Sequence, residues 1–299
     1  MIKRVIDISD AAYIHLKHQQ LLIDKKSKTV AQVVIEDLGV LILQHPAIVL
    51  TQQVIIACQK SKVVIVFCDD KHLPYSVILP IGESHTLHNK ILKQQIAISE
   101  PTRKRLWKQI VQHKIKEQVR TLAILDKSTT RLDRLVTQVK TGDSNNCEAL
   151  AAQAYWKLLF GEGFRRDVDL DGINSLLNYG YSIVRAVVAR SICGAGLHPT
   201  LGLFHKNQYN ALCLADDIME PFRPWVDLIV YKIAMKGVVK VNKHSKKELL
   251  GLLNENVRYE KRRMPLLVAL HLLMAALKRC YINAQKDLFY PSLEIRSPV

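Results

Sequence analysis

The six cysteines of this 299-residue chain, Cys58, Cys68, Cys147, Cys193, Cys213 and Cys280, include no C-x-x-C pair. Such scattering supplies neither a thiolate cage for zinc nor a disulfide framework, and it leaves free, buried thiols as the expectation. Long hydrophobic runs are missing too. The longest, such as residues 265–277, fall well short of the ~20 apolar residues that span a bilayer. The start, Met1-Ile2-Lys3-Arg4-Val5-Ile6-Asp7-Ile8, is charged and strand-like and has no signal-peptide cleavage site, so a cytoplasmic location is expected. No repeat of solenoid length and no low-complexity segment breaks the pattern. Acidic residues are scarce relative to basic ones, 27 Asp plus Glu against 43 Lys plus Arg, giving a formal charge of +16 and a pI near 9.6. That imbalance points to a large anionic partner. Nucleic acid leads, because a membrane surface would call for a polybasic segment joined to an amphipathic or spanning helix.

What is present is the composition of a packed globular protein, 48% hydrophobic and 23% charged, and a length that suits two domains. Short β-branched runs broken by turns occupy residues 4–8, 21–23, 33–36, 40–43 and 63–67, with one helix expected over 52–60 behind a Thr51 cap. After the Pro80-Ile81-Gly82 breaker the chain turns polar, and beyond Pro101 the apolar period becomes helical: Leu106, Ile110, Ile115, Val119 and Leu122 line one face. The expected organisation is a β-rich domain over 1–82, a linker or first helix over 83–100, and a helical domain over 101–299. Basic residues crowd two stretches, 101–140 and 232–263; two clusters together favour contacts along one polyanion over simple solvation.

Three segments carry candidate chemistry. Thr141-Gly142-Asp143-Ser144-Asn145-Asn146-Cys147-Glu148 reads as a turn that places Glu148 in the first turns of a helix, where a carboxylate also suits the helix dipole. Gly194 to His205 packs three glycines and a proline into a loop bearing His198 and His205. Asp216, Asp217 and Glu220 lie within one turn of an otherwise apolar helix, a grouping that repels itself unless a cation intervenes. Pro221 should kink or restart that helix. Carboxylates with one imidazole suit Mg or Mn better than structural zinc.

As an ordered set, Gly142-Asp-Ser-Asn-Asn-Cys-Glu148-Ala-Leu-Ala-Ala152, Leu177-Asn-Tyr-Gly-Tyr181, Gly196-Leu-His-Pro-Thr-Leu-Gly202 and Leu214-Ala-Asp-Asp-Ile-Met-Glu-Pro-Phe-Arg-Pro224 resemble the universal integrase of CRISPR adaptation, the "Cas-one" family. The segment Glu100-Pro-Thr-Arg-Lys-Arg-Leu-Trp107-Lys-Gln-Ile also looks like the subgroup from single-effector (type II) systems. The resemblance covers nearly the whole chain. It implies an α+β protein, an N-terminal β-sandwich domain that dimerises followed by a larger all-α catalytic domain.

The metal ligands and catalytic residues it implies are Glu148, His205 and Glu220, with Asp217 and Arg223 as auxiliary residues and Mg or Mn as the ion. The final ligand is often Asp in the family, and Glu220 keeps its charge and donor atoms. The implied reaction joins a prespacer 3′-hydroxyl to a phosphodiester of the repeat by transesterification. The implied partners are double-stranded DNA, a second copy of the chain in a homodimer, a small adaptation partner whose dimer bridges two integrase dimers, and the effector nuclease. His205 as general base, one metal or two, a structure-selective nuclease for branched DNA in repair, and a non-catalytic DNA-binding scaffold all remain open at this point.

Overall fold

The computed structural model describes residues 3–82, 85–282 and 285–293. Residues 1–2, residues 83–84 of the expected linker, and 283–284 and 294–299 of the expected helical domain lie outside them.

The N-terminal part contains β1 (Arg4–Ile8), β2 (Tyr13–Lys17), β3 (Gln20–Lys25), β4 (Lys28–Val34), β5 (Leu38–Leu43), β6 (Val49–Leu50), α1 (Gln52–Lys60), β7 (Val64–Cys68) and β8 (Pro74–Ile78). These strands make two four-stranded sheets, ordered β1-β5-β7-β8 and β4-β3-β2-β6. Ile14, Leu21 and Ile23 of one sheet share a core with Leu41, Leu43 and Ile65 of the other and with Val54 and Cys58 of α1. The alternate residues Val40, Ile42, Val64 and Val66 point the opposite way, into the core of the helices. β5 is therefore buried at all six positions, Leu-Gly-Val-Leu-Ile-Leu. It reads as a continuous apolar run because both its faces are covered, as expected of a parallel-paired central strand.

Several boundaries differ from the sequence reading. The run 33–36 is split: β4 ends at Val34 and Ile35–Asp37 form a 3-10 turn. Thr51 does sit at the N-cap of α1, but its hydroxyl makes no capping hydrogen bond. β2 and β8 escaped the pattern altogether. The β2–β3 and β3–β4 hairpins turn on His18-Gln19 and Lys26-Ser27, all four with positive φ. Two-residue turns of that kind are normally announced by Asn-Gly or Asp-Gly, so the usual signal is missing.

The remainder holds α2 (His88–Ile96), α3 (Glu100–Ile124), α4 (Thr130–Gln138), α5 (Cys147–Phe160), α6 (Ile173–Gly194), α7 (Cys213–Met219), α8 (Arg223–Met235), α9 (Lys243–Gly251) and α10 (Leu266–Ile282). The α+β class and its order, β-rich then helical, are those expected. The helical region is predominantly rather than wholly α: β9 (Asn256–Tyr259), β10 (Arg262–Pro265) and β11 (Ser292–Leu293) form a small sheet. Its arginines had read as part of a basic run. No described helix is long and apolar enough to cross a membrane.

α6 and α8 cross closely at Gly180, where a Cβ would stand 2.4 Å from Val226 Cγ1. That approach gives Gly180 its reason, and it brings Tyr181 under the residues described next.

Candidate active site

The buried stripe of α3 runs through Trp107, Ile110, Val111, Ile115, Gln118 and Leu122. Lys114 falls on this same stripe, and its side chain is only 13% exposed. An ammonium held there needs partners, since burying an unpaired charge is costly.

Two carboxylates supply them. The first comes from α5, whose start is shaped by Gly142, Asp143 and Asn146, all at positive φ. The Asp143 carboxylate accepts from the backbone N–H groups of Cys147 (2.8 Å) and Glu148 (3.0 Å), capping the helix from outside its first turn. Glu148 then accepts from Lys114 Nζ at 2.6 Å. The second comes from the break between α7 and α8. Pro221 cannot continue α7, so residues Glu220–Phe222 form a 3-10 turn and α8 restarts at Arg223. Glu220 is buried there; Oε1 accepts from Arg223 Nε at 2.8 Å and Oε2 lies 2.5 Å from Lys114 Nζ.

The charge balance follows from these contacts. Burial would push the Glu220 carboxyl up, but Arg223 and then Lys114 overcome it and hold it at about 2. Burial likewise opposes the charge on Lys114, while Glu220 and Glu148 keep its affinity for the proton above the usual lysine range. Arg223 also lies over the Tyr181 ring, 4.6 Å from its centroid. Tyr181 and Tyr155 both donate to Asp227, the latter at 3.0 Å. Burial raises Asp227 to about 7 despite those two hydrogen bonds.

His205 is placed by a different device. Asp217, fully buried, accepts from the backbone N–H groups of Leu203 (2.5 Å), Phe204 (3.0 Å) and His205 (3.2 Å), and from His205 Nδ1 at 2.6 Å. Gly202 permits this wrap: a Cβ on it would stand 2.4 Å from the His205 carbonyl and 2.9 Å from Asp217 Oδ2. Nδ1–H is committed to Asp217, leaving Nε2 for other work, and that hydrogen bond is the main cause of a raised His205 pKa. Glu220 adds to the rise from within electrostatic reach.

The structure thus gathers Glu148 and Glu220 around one cationic position and fastens Arg223 to Glu220. It turns His205 toward Asp217 instead of closing it into a cluster with the two glutamates. Among the described residues, no three His, Cys, Asp or Glu side chains stand together as a ready metal cluster. The three acidic residues of the α7 segment divide their work. Asp217 shapes the histidine loop, Glu220 faces Lys114, and Asp216 pairs with Arg185 at 2.6 Å. The donor chemistry still fits a hard divalent ion. Two carboxylates converge on one point, and among the described residues the buried Glu220 Oε2 meets no polar group there but the Lys114 ammonium, a position a cation of another kind could take.

Sequence reasoning passed over Lys114, Tyr181 and Asp227. A lysine repeating with the apolar face of α3 was the available signal for the first. Tyr181 is buried like a core residue, and its hydroxyl and ring face also hold Asp227 and Arg223.

Residues 6–261 match the family described as CRISPR associated protein Cas1. A CRISPR-associated endonuclease Cas1 of Neisseria meningitidis serogroup C (strain 8013) is 35% identical over 271 residues, 89% of this chain and 88% of that protein. Among solved structures, a casposase bound to integration product superposes with a TM-score of 0.78 at 19% identity, over 96% of this chain and 92% of that one. A chain of a Cas6-RT-Cas1–Cas2 complex does so with a TM-score of 0.74 at 21% identity, over 96% of this chain and 36% of the larger partner in the comparison. This chain belongs to the Cas1 family of CRISPR-associated proteins.

Proposed function

We propose that the chain is a metal-dependent DNA integrase and endonuclease of CRISPR adaptation, of the subgroup found with single-effector systems. It joins the 3′-hydroxyl of a prespacer to a phosphodiester at the repeat boundary. The attacking oxygen forms a new bond to phosphorus, the old bond to the 3′-oxygen breaks, and the attacking hydroxyl's proton leaves as the departing oxygen gains one. No external energy source is needed because one phosphodiester replaces another.

The observation that carries this reading is the convergence of Glu148 and Glu220 on one buried cationic position, within electrostatic reach of the Asp217-held His205. Glu148, Glu220 and His205 through Nε2 would hold Mg or Mn, which supplies polarisation of the scissile phosphate and offsets charge developing on its oxygens. Arg223, braced by Glu220 and the Tyr181 ring, offers the phosphate a fixed guanidinium. Asp217 keeps the imidazole in one tautomer and one direction. The formal +16 supports binding of double-stranded DNA. The likeness in fold to a casposase solved with its integration product, and to a chain solved in a Cas1–Cas2 complex, supports strand transfer and assembly with a small partner dimer. Homodimerisation through the β-rich part, a domain boundary near Gly82 and a functional link to the effector nuclease belong to the same proposal.

The test is half-site integration of a labelled prespacer into a repeat-bearing duplex, with Mg or Mn and with EDTA. Joined product is expected with the metal alone, and Glu148→Ala, His205→Ala and Glu220→Ala should each abolish it. Cleavage of branched DNA without joining would assign the site to a repair-type nuclease, and joining that survives all three substitutions would refute catalysis here.

A further inference from the structure

Phe204 immediately precedes His205 in the loop that Asp217 fastens, and its side chain is exposed in an unusual way. One face of its ring lies flat on Trp107, with centroids 4.3 Å apart and planes within 2°. Trp107 is only 1% exposed, whereas Phe204 remains 51% exposed. The backbone that carries the ring is fixed, because the Phe204 N–H is itself held by Asp217, and the stack on Trp107 sets the ring's plane. The outcome is a rigid aromatic plate on the surface, backed by a second ring and touching His205 edge-on at 5.7 Å between centroids.

The surroundings of the plate are cationic. Arg103, Lys104 and Lys206 line a cavity of about 230 Å³ together with Phe204 and Trp107. Its one acidic neighbour, Glu100, is paired to Lys104 at 2.8 Å. Arg103 and Lys206 also line the adjoining cavity of about 350 Å³ that contains His205. Arg103 Nε is buried without a hydrogen-bond partner. The smaller cavity is below the roughly 300–1,000 Å³ of sites that enclose a drug-sized ligand, so it suits one planar ring system. An exposed aromatic face among phosphate-binding cations is the arrangement with which proteins take unpaired bases, whose π-faces stack irrespective of sequence.

We infer that Phe204, backed by Trp107 and ringed by Arg103, Lys104 and Lys206, is a stacking platform for one unpaired nucleobase of the DNA strand that enters the site. This rests on the reading of the chain as a DNA-acting enzyme and adds to it a single-stranded binding position beside His205. The platform fixes one base near a strand end, so the flanking phosphates reach the cations while the 3′-terminus is directed past the imidazole.

Binding measured in EDTA, where no chemistry runs, isolates the claim. Three labelled duplexes are compared by fluorescence anisotropy: blunt, with a short 3′ overhang, and with the same overhang made abasic. A 2-aminopurine placed in the overhang reports stacking by quenching. The wild-type chain should prefer the base-bearing overhang over the abasic one by roughly 5- to 100-fold and quench the probe. Phe204→Leu, which keeps an apolar cover on Trp107, should erase both effects while leaving blunt-duplex affinity within about twofold and the melting temperature unchanged. Phe204→Tyr should restore the preference. Equal wild-type binding of base-bearing and abasic overhangs, or a preference that survives Phe204→Leu, overturns the platform, including the case in which Phe204 serves a protein contact instead. If strand transfer fails while the base preference stands, the proposed reaction alone is lost; if joining proceeds with no base preference, the platform alone is lost.

Discussion

Replacing Lys114 by methionine removes the ammonium that Glu148 and Glu220 share while keeping most of the side chain's apolar length on the buried stripe of α3. The two contacts, 2.6 and 2.5 Å, join side chains that are 13%, 20% and 6% exposed for Lys114, Glu148 and Glu220. Breaking a fully buried ion pair from one side costs about 3–5 kcal/mol, and an exposed pair is worth at most about 1 kcal/mol. Glu220 retains Arg223, and Glu148 keeps a fifth of its side chain in solvent. The expected loss is therefore intermediate, roughly 2–3 kcal/mol. At about 2–4 °C per kcal/mol for a chain of this size class, the melting temperature in EDTA should fall by roughly 4–12 °C. Scanning calorimetry measures it directly. Adding Glu148→Gln to the variant should recover part of the loss, because the carboxylate that lost its cation with Lys114 is then gone. Titrating Mn into both proteins adds a second readout of opposite sign. A metal must displace an ammonium in the wild type and nothing in the variant, so Mn should raise the variant's melting temperature more. A Lys114→Met protein that melts within 1 °C of wild type in EDTA (about 0.5 kcal/mol or less) would refute the shared-cation account. If Mn stabilised neither protein, the metal-site assignment would go as well.

Asp227 titrates at about 7 instead of near 3.8 because burial disfavours its charge. A raised pKa means the folded state holds the proton more tightly, so this stability is complete below about pH 4 and is lost as pH rises through 7. The shift of about three units corresponds to an upper limit of about 4 kcal/mol. Asp227→Asn should flatten the melting temperature against pH between 4 and 8, and parallel curves for variant and wild type would contradict the assignment. Asp217→Asn weakens the acceptor that holds His205 and three backbone N–H groups, and strand transfer should drop by about 10- to 100-fold with DNA affinity largely retained in the same anisotropy assay. Gly180→Ala would set a methyl group against Val226 and should cost about 1–3 kcal/mol. Chemical denaturation of Gly180→Ala/Val226→Ala should show most of that cost recovered, and an additive double variant would place the strain elsewhere.

Much of this molecule was legible before its structure. The short β-branched runs that became β1, β5 and β7, the helical stripe of α3, and the kink at Pro221 are local consequences of backbone sterics and of which residues must leave water. They require only neighbours in sequence. The candidate glutamates were legible for a similar reason. A carboxylate after a tight turn, and three carboxylates in an apolar helix, are local oddities that ask for an explanation. β2 and β8, by contrast, were hidden. His18-Gln19 and Lys26-Ser27 adopt positive φ because the strands pairing on either side of each turn impose it, against the preference of the residues themselves.

The sequence by itself determined the inventory: a β-rich part followed by helices, a strongly basic surface, and Glu148, His205, Glu220, Asp217 and Arg223 as groups worth watching. Only the tertiary structure decided what each one faces. Lys114 looks like any other lysine of a basic segment until α3 carries it between α5 and the α7–α8 break. Asp217 and Glu220 are three residues apart on one segment, yet one wraps the His205 loop and the other meets Lys114. Phe204 becomes an open plate because Trp107, nearly a hundred positions away, comes up beneath it. The difference is physical: propensity and patterning act over a few bonds, whereas the charge, burial and reach of a side chain are fixed by contacts between segments that only packing brings together.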